Sequence, residues 1–160
     1  MANLASQTDS SLMILVLAAG MGTRMKSKHP KVMHAIGSKP MVGHVIDLGV
    51  SLGAETCSVV VGPDMEQVKD VARSHFSRTE LFVQHDRLGT AHAVLSAKEA
   101  LEKHDGFVLV LYGDTPLLTT DALNGLYAEL KNGAHVGVLG FEADDPTGYG
   151  RLLVDDEGQL

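Results

Sequence analysis

The feature that most constrains the fold of this chain is a series of short apolar runs separated by stretches of helical periodicity. The runs are continuous rather than alternating, which is typical of strands covered on both faces of a parallel sheet. They occupy residues 13–17, 57–61, 81–83, 107–112 and 136–141. Apolar residues recur at helical spacing in residues 41–52, 68–75, 89–101 and 123–130. This alternation predicts an α/β domain with a Rossmann-like, mainly parallel sheet flanked by helices.

The length of 160 residues fits a single domain with a substantial core. We expect a mobile N-terminal tail at 1–11 and one domain at 12–160, with helices ending at Gly53 and Gly133. A further strand is predicted at 151–154 and a hairpin turn at 155–158. Because the sequence stops before any return strand, we expect the domain to be truncated at its C-terminus.

Cysteine usage and the N-terminal sequence predict a cytoplasmic protein. The single cysteine, Cys57, excludes an internal disulfide and lies in an apolar run, so we interpret it as a core residue rather than a nucleophile. Residues 1–11 contain no Lys or Arg, which argues against a secretory signal. The apolar run 12–19 is too short to cross a bilayer, so no membrane partner is expected.

The charge distribution favours a small phosphorylated ligand over nucleic acid. The net charge is −7, whereas binding a nucleic-acid backbone requires a basic face. Local cations are nevertheless concentrated early in the chain. They are Arg24, Lys26, Lys28, Lys31 and Lys39.

The first strand is followed directly by a glycine-rich segment, 17–25 (LAAGMGTRM). Ligands of parallel α/β sheets bind beyond the carboxyl ends of the strands, which is where this segment begins. Gly20 and Gly22 can take positive φ and form a nest of backbone N–H groups for phosphate, and Arg24 offers a planar fork. The spacing fits neither a Walker A loop nor a dinucleotide fingerprint, and two glycines alone also fit an ordinary strand-to-helix turn.

Two later segments follow the third and fourth predicted strands. Segment 84–93 (QHDRLGTAHA) begins with Gln84, an amide with both donors and an acceptor, and continues into a Gly-Thr helix start. Segment 111–117 (LYGDTPL) places Asp114 at a strand end, where a carboxylate can hold Mg²⁺ together with substrate phosphates. The plain alternatives are a helix start without a ligand and an aspartate that caps the turn before Pro116.

Together these segments resemble the sugar-nucleotide pyrophosphorylases. The first segment continues into 30–34 (PKVMH) and 37–41 (GSKPM), and the likeness extends over residues 13–153. The chain is most similar to the N-terminal uridylyltransferase domain of bacterial bifunctional N-acetylglucosamine-1-phosphate uridylyltransferases. The resemblance implies a nucleotide-diphospho-sugar transferase fold and transfer of UMP from UTP to N-acetylglucosamine 1-phosphate. The product would be UDP-N-acetylglucosamine, a precursor of peptidoglycan and lipopolysaccharide.

The resemblance also implies roles for individual residues. Arg24 and Lys31 would supply catalytic positive charge, and Asp114 would hold the Mg²⁺ cofactor. In the family, positions matching Gln84, Gly89 and Thr90 hold the uracil base. The N–H of Gly150, in segment 146–151 (PTGYGR), matches a group that contacts the acetamido sugar. The complete predicted set of ligand-contacting positions is Leu17, Ala18, Ala19, Gly20, Gly22, Gln84, Gly89, Thr90, Tyr112, Gly113 and Gly150.

Several expectations follow from where the resemblance stops. The family's second metal ligand, its later sugar contacts and its acetyltransferase domain match no position in this sequence, so we expect a fragment that is not fully active alone. A homo-oligomer is one possible state of the full-length protein that the resemblance implies. Two alternatives stay open: another nucleotidyltransferase, acting on a different sugar 1-phosphate or on molybdenum cofactor, and a truncated, non-catalytic nucleotide-binding module.

Overall fold

A computed structural model of the chain describes residues 11–22 and 25–156. The chain divides into two compact units, Met1–Thr120 and Asp121–Leu160. Most of the predicted tail, residues 1–10, lies outside the described residues, whereas Ser11 is the first residue of a strand.

The first unit is built on a four-stranded parallel sheet. Its strand order is β5-β4-β1-β6, and a short antiparallel pair, β2-β3, lies apart from it. The strands are β1 (Ser11–Leu17), β2 (Ala35–Ile36), β3 (Lys39–Pro40), β4 (Thr56–Val61), β5 (Glu80–Val83) and β6 (Gly106–Tyr112). The first four apolar runs of the sequence are therefore confirmed as strands, and the predicted Rossmann-like sheet is confirmed with them.

Helices connect the strands as the periodicity predicts. A 3-10 turn, Lys31–Met33, precedes the β2-β3 pair. The α-helices are α1 (Met41–Ser51), α2 (Glu66–His75), α3 (Thr90–Leu95), α4 (Lys98–Lys103) and α5 (Thr120–Lys131). The two glycines predicted to follow helix ends are confirmed, since Gly53 and Gly133 have φ values of 85° and 106° after α1 and α5.

The core lies on both faces of β1. Ile14 and Leu15 point to opposite sides of the strand, and both are completely buried. Gly49 of α1 approaches Ile14 so closely that a Cβ atom there would lie 2.5 Å from Ile14 Cδ1. On the other face, Leu15 packs in a cluster with Ala93 of α3 and Ala97. Helices thus cover both faces of the central strand, which explains why its sequence is apolar without alternation.

The predicted long helix at 89–101 is interrupted. Ser96 N–H reaches the carbonyls of both His92 and Ala93, and the Ser96 hydroxyl donates to the His92 carbonyl at 3.0 Å. Ala97 N–H then bonds to the Val94 carbonyl, three residues back. This tighter turn, reinforced by serine bonding to the helix backbone, ends α3 at Leu95 and separates it from α4.

The predicted strands at 136–141 and 151–154 are wrong. The described residues there form no strand, and Phe141 and Leu153 are 72% and 81% exposed. An apolar run becomes a strand only when a neighbouring strand accepts its backbone hydrogen bonds, and neither segment has one among the described residues. The predicted hairpin turn at 155–158 lies partly outside the described residues.

The second unit contains α5 followed by irregular chain. The rings of Phe141 and Tyr149 meet edge to face at 5.2 Å. The Arg151 guanidinium donates to the carbonyls of Pro146 and Tyr149 at 2.9 and 2.7 Å, which closes segment 146–151 into a loop. None of the helices in the described part of the chain has the length and apolar character needed to cross a membrane.

An ion-pair cluster joins β3, α1 and α2. Lys39 Nζ donates to one carboxylate oxygen of Asp47, and His75 Nδ1 lies 2.6 Å from the other. Burial alone would raise the pKa of Asp47. The hydrogen bonds from Lys39 and His75, together with their charges, outweigh burial, so the pKa of Asp47 is lowered.

We expect the Asp47→Asn variant to lose stability at neutral pH but not in acid. The free energy of unfolding at pH 7 should fall by about 1 kcal/mol, because the cluster is partly exposed and screened by solvent. A folded-state pKa below the ordinary value of 3.8 stabilises the fold above that pH and ceases to do so as pH falls through the folded value. Urea unfolding should therefore distinguish the proteins at pH 7 and not well below pH 3.8. Asp70→Asn, at an exposed position of α2, is the control. A difference that persists in acid would contradict this role.

Candidate functional site

The candidate site begins where the sheet changes direction. From β1 the chain adds β4 and then β5 on one side, and β6 returns to the other side of β1. Such a reversal leaves a crevice at the carboxyl ends of the two strands that flank it, here β1 and β6. The register places Leu17 beside Tyr112, so both strands end at the same level.

Backbone hydrogen bonds extend the sheet one residue beyond three strand ends. Gly113 N–H donates to the Leu17 carbonyl at 2.9 Å, and Ala18 N–H donates to the Val60 carbonyl at 2.7 Å. Gln84 N–H donates to the Val61 carbonyl at 2.8 Å. The three segments that the sequence analysis singled out therefore leave the sheet from fixed starting points along one edge.

A cleft of about 380 Å³ opens between these segments. Ten of the predicted site residues line it, and all of them belong to the first unit. They are Leu17, Ala19, Gly20, Gly22, Lys31, Gln84, Gly89, Thr90, Tyr112 and Asp114. Val32, Arg87 and Ala93 complete the lining.

Four other predicted residues are placed differently. Ala18 is completely buried, and a Cβ at Gly113 would lie 3.4 Å from Ala18 Cβ, so these two residues pack together rather than line the cleft. Gly150 belongs to the second unit and is exposed. Arg24 lies outside the described residues. The roles predicted for these four residues stay predictions.

The main electrostatic feature of the cleft is an ion pair between Lys31 and Asp114. Lys31 Nζ lies 2.6 Å from Asp114 Oδ2, although the two residues are 83 positions apart in sequence. Their side chains are 37% and 32% exposed, so both charges remain accessible from the cleft. Lys31 and Asp114 thus place a cation and a carboxylate side by side in the cleft, a combination suited to an anionic ligand accompanied by a metal ion.

Gly22 allows the first loop to approach Lys31. Its φ is +62°, and a Cβ atom there would lie 2.5 Å from Lys31 Cβ, so any side chain would push the two segments apart. Of the two glycines that could take a positive φ, Gly22 does so and Gly20 does not. A Cβ atom at Gly20 would meet open space, so the absence of a side chain there leaves more room in the cleft. The backbone of Gly20 does not adopt a left-handed conformation.

Not all of the early cations face the cleft. Lys39, which the sequence analysis counted among them, donates to Asp47 on α1 instead. Lys39 is absent from the lining of the cleft, and the Asp47 carboxylate neutralises its charge away from the ligand site. Cys57 is buried, which confirms that it is a core residue, and burial raises the pKa of its thiol to about 11.

Arg87 is a cleft residue that the sequence analysis missed. Its Nε–H donates to the Ala19 carbonyl at 3.2 Å, across 68 positions of sequence. Arg87 therefore ties the segment after β5 to the glycine-rich loop after β1. The signal available in the sequence was an arginine three residues after Gln84, in a segment already expected at the cleft.

The parallel sheet, its strand-order reversal and the mixed-charge cleft define an α/β domain with a ligand cleft at the point where the strand order reverses. Residues 14–159 match the family model described as "MobA-like NTP transferase domain". The chain belongs to this family, and the resemblance inferred from the sequence motifs is confirmed.

Individual relatives give the same result. The chain is 51% identical over 150 residues to "Bifunctional protein GlmU" of Azorhizobium caulinodans, covering 94% of this chain and 34% of that protein. It is 53% identical over 153 residues to the protein of the same name from Paramagnetospirillum magneticum, covering 94% and 33%. The chain therefore spans about a third of the length of these curated relatives.

Solved structures share the fold at low sequence identity. One is a UDP-glucose pyrophosphorylase complexed with UDP-glucose, with a TM-score of 0.60 and 20% identity, covering 76% of this chain and 55% of that one. Another is the inositol-1-phosphate CTP transferase from T. maritima, with a TM-score of 0.62 and 18% identity, covering 72% and 48%. These likenesses support the Rossmann-like fold.

We predict that Arg87→Met loosens the glycine-rich loop. The substitution keeps the aliphatic stem and removes the donor to the Ala19 carbonyl, so backbone amides of residues 19–22 should exchange hydrogen roughly fivefold faster, as the loss of one hydrogen bond implies. Mass-spectrometric hydrogen exchange measures this directly. Arg73→Met, at an exposed position of α2, should leave exchange in the loop unchanged. Equal exchange in both variants would show that Arg87 does not hold the loop.

Proposed function

We propose that this chain is the nucleotide-binding part of an enzyme that transfers UMP from UTP to N-acetylglucosamine 1-phosphate, releasing pyrophosphate. The observation that carries the proposal is the Lys31–Asp114 pair, which lies in one cleft with the glycine-rich loop and Gln84. Membership in a nucleotidyltransferase family and 47–53% identity to several proteins named GlmU support the substrate assignment.

The chemistry is a direct displacement at phosphorus. A phosphate oxygen of the sugar 1-phosphate attacks the α-phosphorus of UTP and forms the new P–O bond. The bond from the α-phosphorus to the bridging oxygen breaks, and its electron pair leaves with pyrophosphate. Because the attacking phosphate is already an anion near neutral pH, no general base is needed. The protein's task is to position the reactants and reduce the repulsion between their phosphates.

The site residues expected from the sequence divide this task. Lys31 supplies fixed positive charge for the phosphates, and Arg24 is proposed to do the same. Gly20 and Gly22 keep the loop backbone open to phosphate oxygens, and Ala18 and Gly113, which pack against each other, are proposed as further nucleotide contacts. Gln84, Gly89 and Thr90 are proposed to contact the base, and Gly150 the acetamido sugar. Leu17, Ala19 and Tyr112 complete the nucleotide contacts.

The donor set of the cleft fits Mg²⁺. Among the described residues, no group of three or more His, Cys, Asp or Glu side chains could form a metal cage. Asp114 is the carboxylate of the cleft lining, and Mg²⁺ is commonly bound by one or two carboxylates together with phosphates and water. When bound, the ion supplies positive charge that offsets the charge of the triphosphate. Asp114 would hold it, and Lys31 would then be free to contact a phosphate.

The cellular role follows from the proposed product. UDP-N-acetylglucosamine made in the cytoplasm would supply precursors for peptidoglycan and lipopolysaccharide. Nucleic acid is not a proposed partner, because the net charge of the chain is −7. Self-association is proposed only for the longer protein, of which this chain would form the N-terminal part.

Calorimetric titration tests the proposal on the 160-residue chain itself. UTP should bind in the presence of Mg²⁺ and more weakly in its absence. A pyrophosphate-release assay should then compare N-acetylglucosamine 1-phosphate with glucose 1-phosphate and mannose 1-phosphate. Turnover with only another sugar phosphate would change the substrate, and binding with no turnover would favour a nucleotide-binding module. If no nucleoside triphosphate binds, the proposal is wrong.

Asp114→Asn should remove the dependence of UTP binding on Mg²⁺. The amide keeps the size of the side chain but loses the charge that holds the ion, so adding Mg²⁺ should no longer increase UTP affinity, and Mg²⁺-dependent turnover should fall at least 10²-fold. Asp70→Asn should behave as the unmodified chain. An Asp114→Asn variant with an unchanged Mg²⁺ response would exclude Asp114 as the metal ligand.

A further inference from the structure

The side chain of Gln84 is buried at the wall of the cleft, and its amide nitrogen has two partners. Gln84 is 4% exposed and lies immediately after β5. Its Nε2 lies 3.1 Å from His92 Nδ1 and 3.4 Å from the Gly89 carbonyl oxygen. Gly89 immediately precedes α3, and His92 lies in the first turn of that helix. The sequence predicts that this amide presents donors and an acceptor to a ligand, but its nitrogen is used within the protein.

The chemistry of these partners determines on which side the NH₂ group and the oxygen of the Gln84 amide lie. A backbone carbonyl oxygen can only accept, so the amide atom that faces Gly89 must be the NH₂ group, because an oxygen there would be repelled. With the NH₂ group on that side, His92 Nδ1 must also accept. A neutral imidazole that accepts at Nδ1 carries its proton on Nε2. His92 and Gly89 therefore specify one amide orientation together.

This orientation leaves Oε1 as the polar atom of Gln84 that is available to a ligand. Gln84 and Gly89 both line the cleft, whereas His92 supports Gln84 from α3. A buried, oriented carbonyl oxygen accepts from an N–H group and disfavours a lone pair at the same place. Uracil carries an N–H at its N3 position, and cytosine carries a lone pair there.

We propose that His92 is a positioning residue that determines pyrimidine specificity by fixing the amide of Gln84. The inference rests on the proposed use of UTP and adds a residue that does not itself contact the base. Through Oε1 of Gln84, the site selects bases with an N–H at the contacted position. Without the acceptor at His92, only the longer contact to Gly89 holds the amide, and the NH₂ group can turn toward the base.

Two variants of His92 separate positioning from packing. His92→Leu has no acceptor, whereas the side-chain oxygen of His92→Asn lies the same number of bonds from Cα as the Nδ1 atom that it replaces. We expect the ratio of UTP to CTP affinity, measured by calorimetry with Mg²⁺, to fall roughly tenfold in the Leu variant, the size of one hydrogen bond. In the Asn variant the ratio should stay within about twofold of the unmodified chain.

N3-methyl-UTP provides a second probe, because it differs from UTP in lacking the N–H that Oε1 would accept. It should bind the unmodified chain and His92→Asn more weakly than UTP does, and this difference should shrink in His92→Leu. Circular dichroism and thermal unfolding of each variant verify that the fold is retained. An unchanged UTP to CTP ratio in a folded His92→Leu variant overturns the proposal.

Nuclear magnetic resonance tests the orientation without any ligand. The ¹⁵N shifts of the His92 ring should show an unprotonated Nδ1 and a protonated Nε2, and the side-chain NH₂ signals of Gln84 should move in His92→Leu. A proton on Nδ1 of the neutral ring would overturn the proposal, since the amide oxygen would then face His92. If the unmodified chain binds no nucleotide, the proposed function fails instead, while these ring shifts still report on the orientation of Gln84.

Discussion

The site depends on the parallel pairing of β1 with β6. This pairing carries the chain to the opposite side of β1 from β4 and brings Leu17 level with Tyr112. Because both strands end at one edge of the sheet, the glycine-rich loop and the segment with Asp114 leave the sheet side by side. The Gly113 N–H donates a hydrogen bond to the Leu17 carbonyl. A shift of this register by one residue would turn the side chains of β6 to the other face and move Asp114 along the edge. The position of the cleft is therefore determined by the strand order and not by any single side chain.

Charge in this acidic molecule is used locally. Lys31 pairs with Asp114 in the cleft, while Lys39 pairs with Asp47 where β3, α1 and α2 meet. Both pairs are partly exposed, but they act differently. The Asp47 pair fastens elements that are otherwise held by apolar packing. The Asp114 pair holds a cation and a carboxylate ready in a cleft, where each can take a new partner. Two lysines eight positions apart in the sequence therefore serve stability and the proposed chemistry separately.

The strands and the location of the site were predictable because both follow from short-range pattern. Continuous apolar runs identify strands that are covered on both faces, and unusual polar residues directly after them indicate the ligand edge. The interruption between α3 and α4 was not predictable, because it depends on a hydrogen bond from the Ser96 hydroxyl to the His92 carbonyl. In the sequence alone, that hydroxyl could equally bond to solvent. The run at 136–141 has strand composition, but a strand also requires a partner, which composition does not provide. Arg87 and His92 were missed for a related reason, since each acts through a contact with another part of the fold. Arg87 contacts Ala19, and His92 contacts Gln84. The spacing of residues in the sequence does not reveal such contacts.

A metal–triphosphate complex is proposed to bind where β1 and β6 end together. Paramagnetic broadening of backbone amide signals by Mn²⁺, used in place of Mg²⁺ and added with UTP, measures this position directly. Binding at this position predicts that the signals of residues 18–22, Lys31, Gly113 and Asp114 are attenuated first, while those of α2 remain sharp. Attenuation centred on α2 or on the acidic residues 155–156, or a pattern that is the same without UTP, would contradict it.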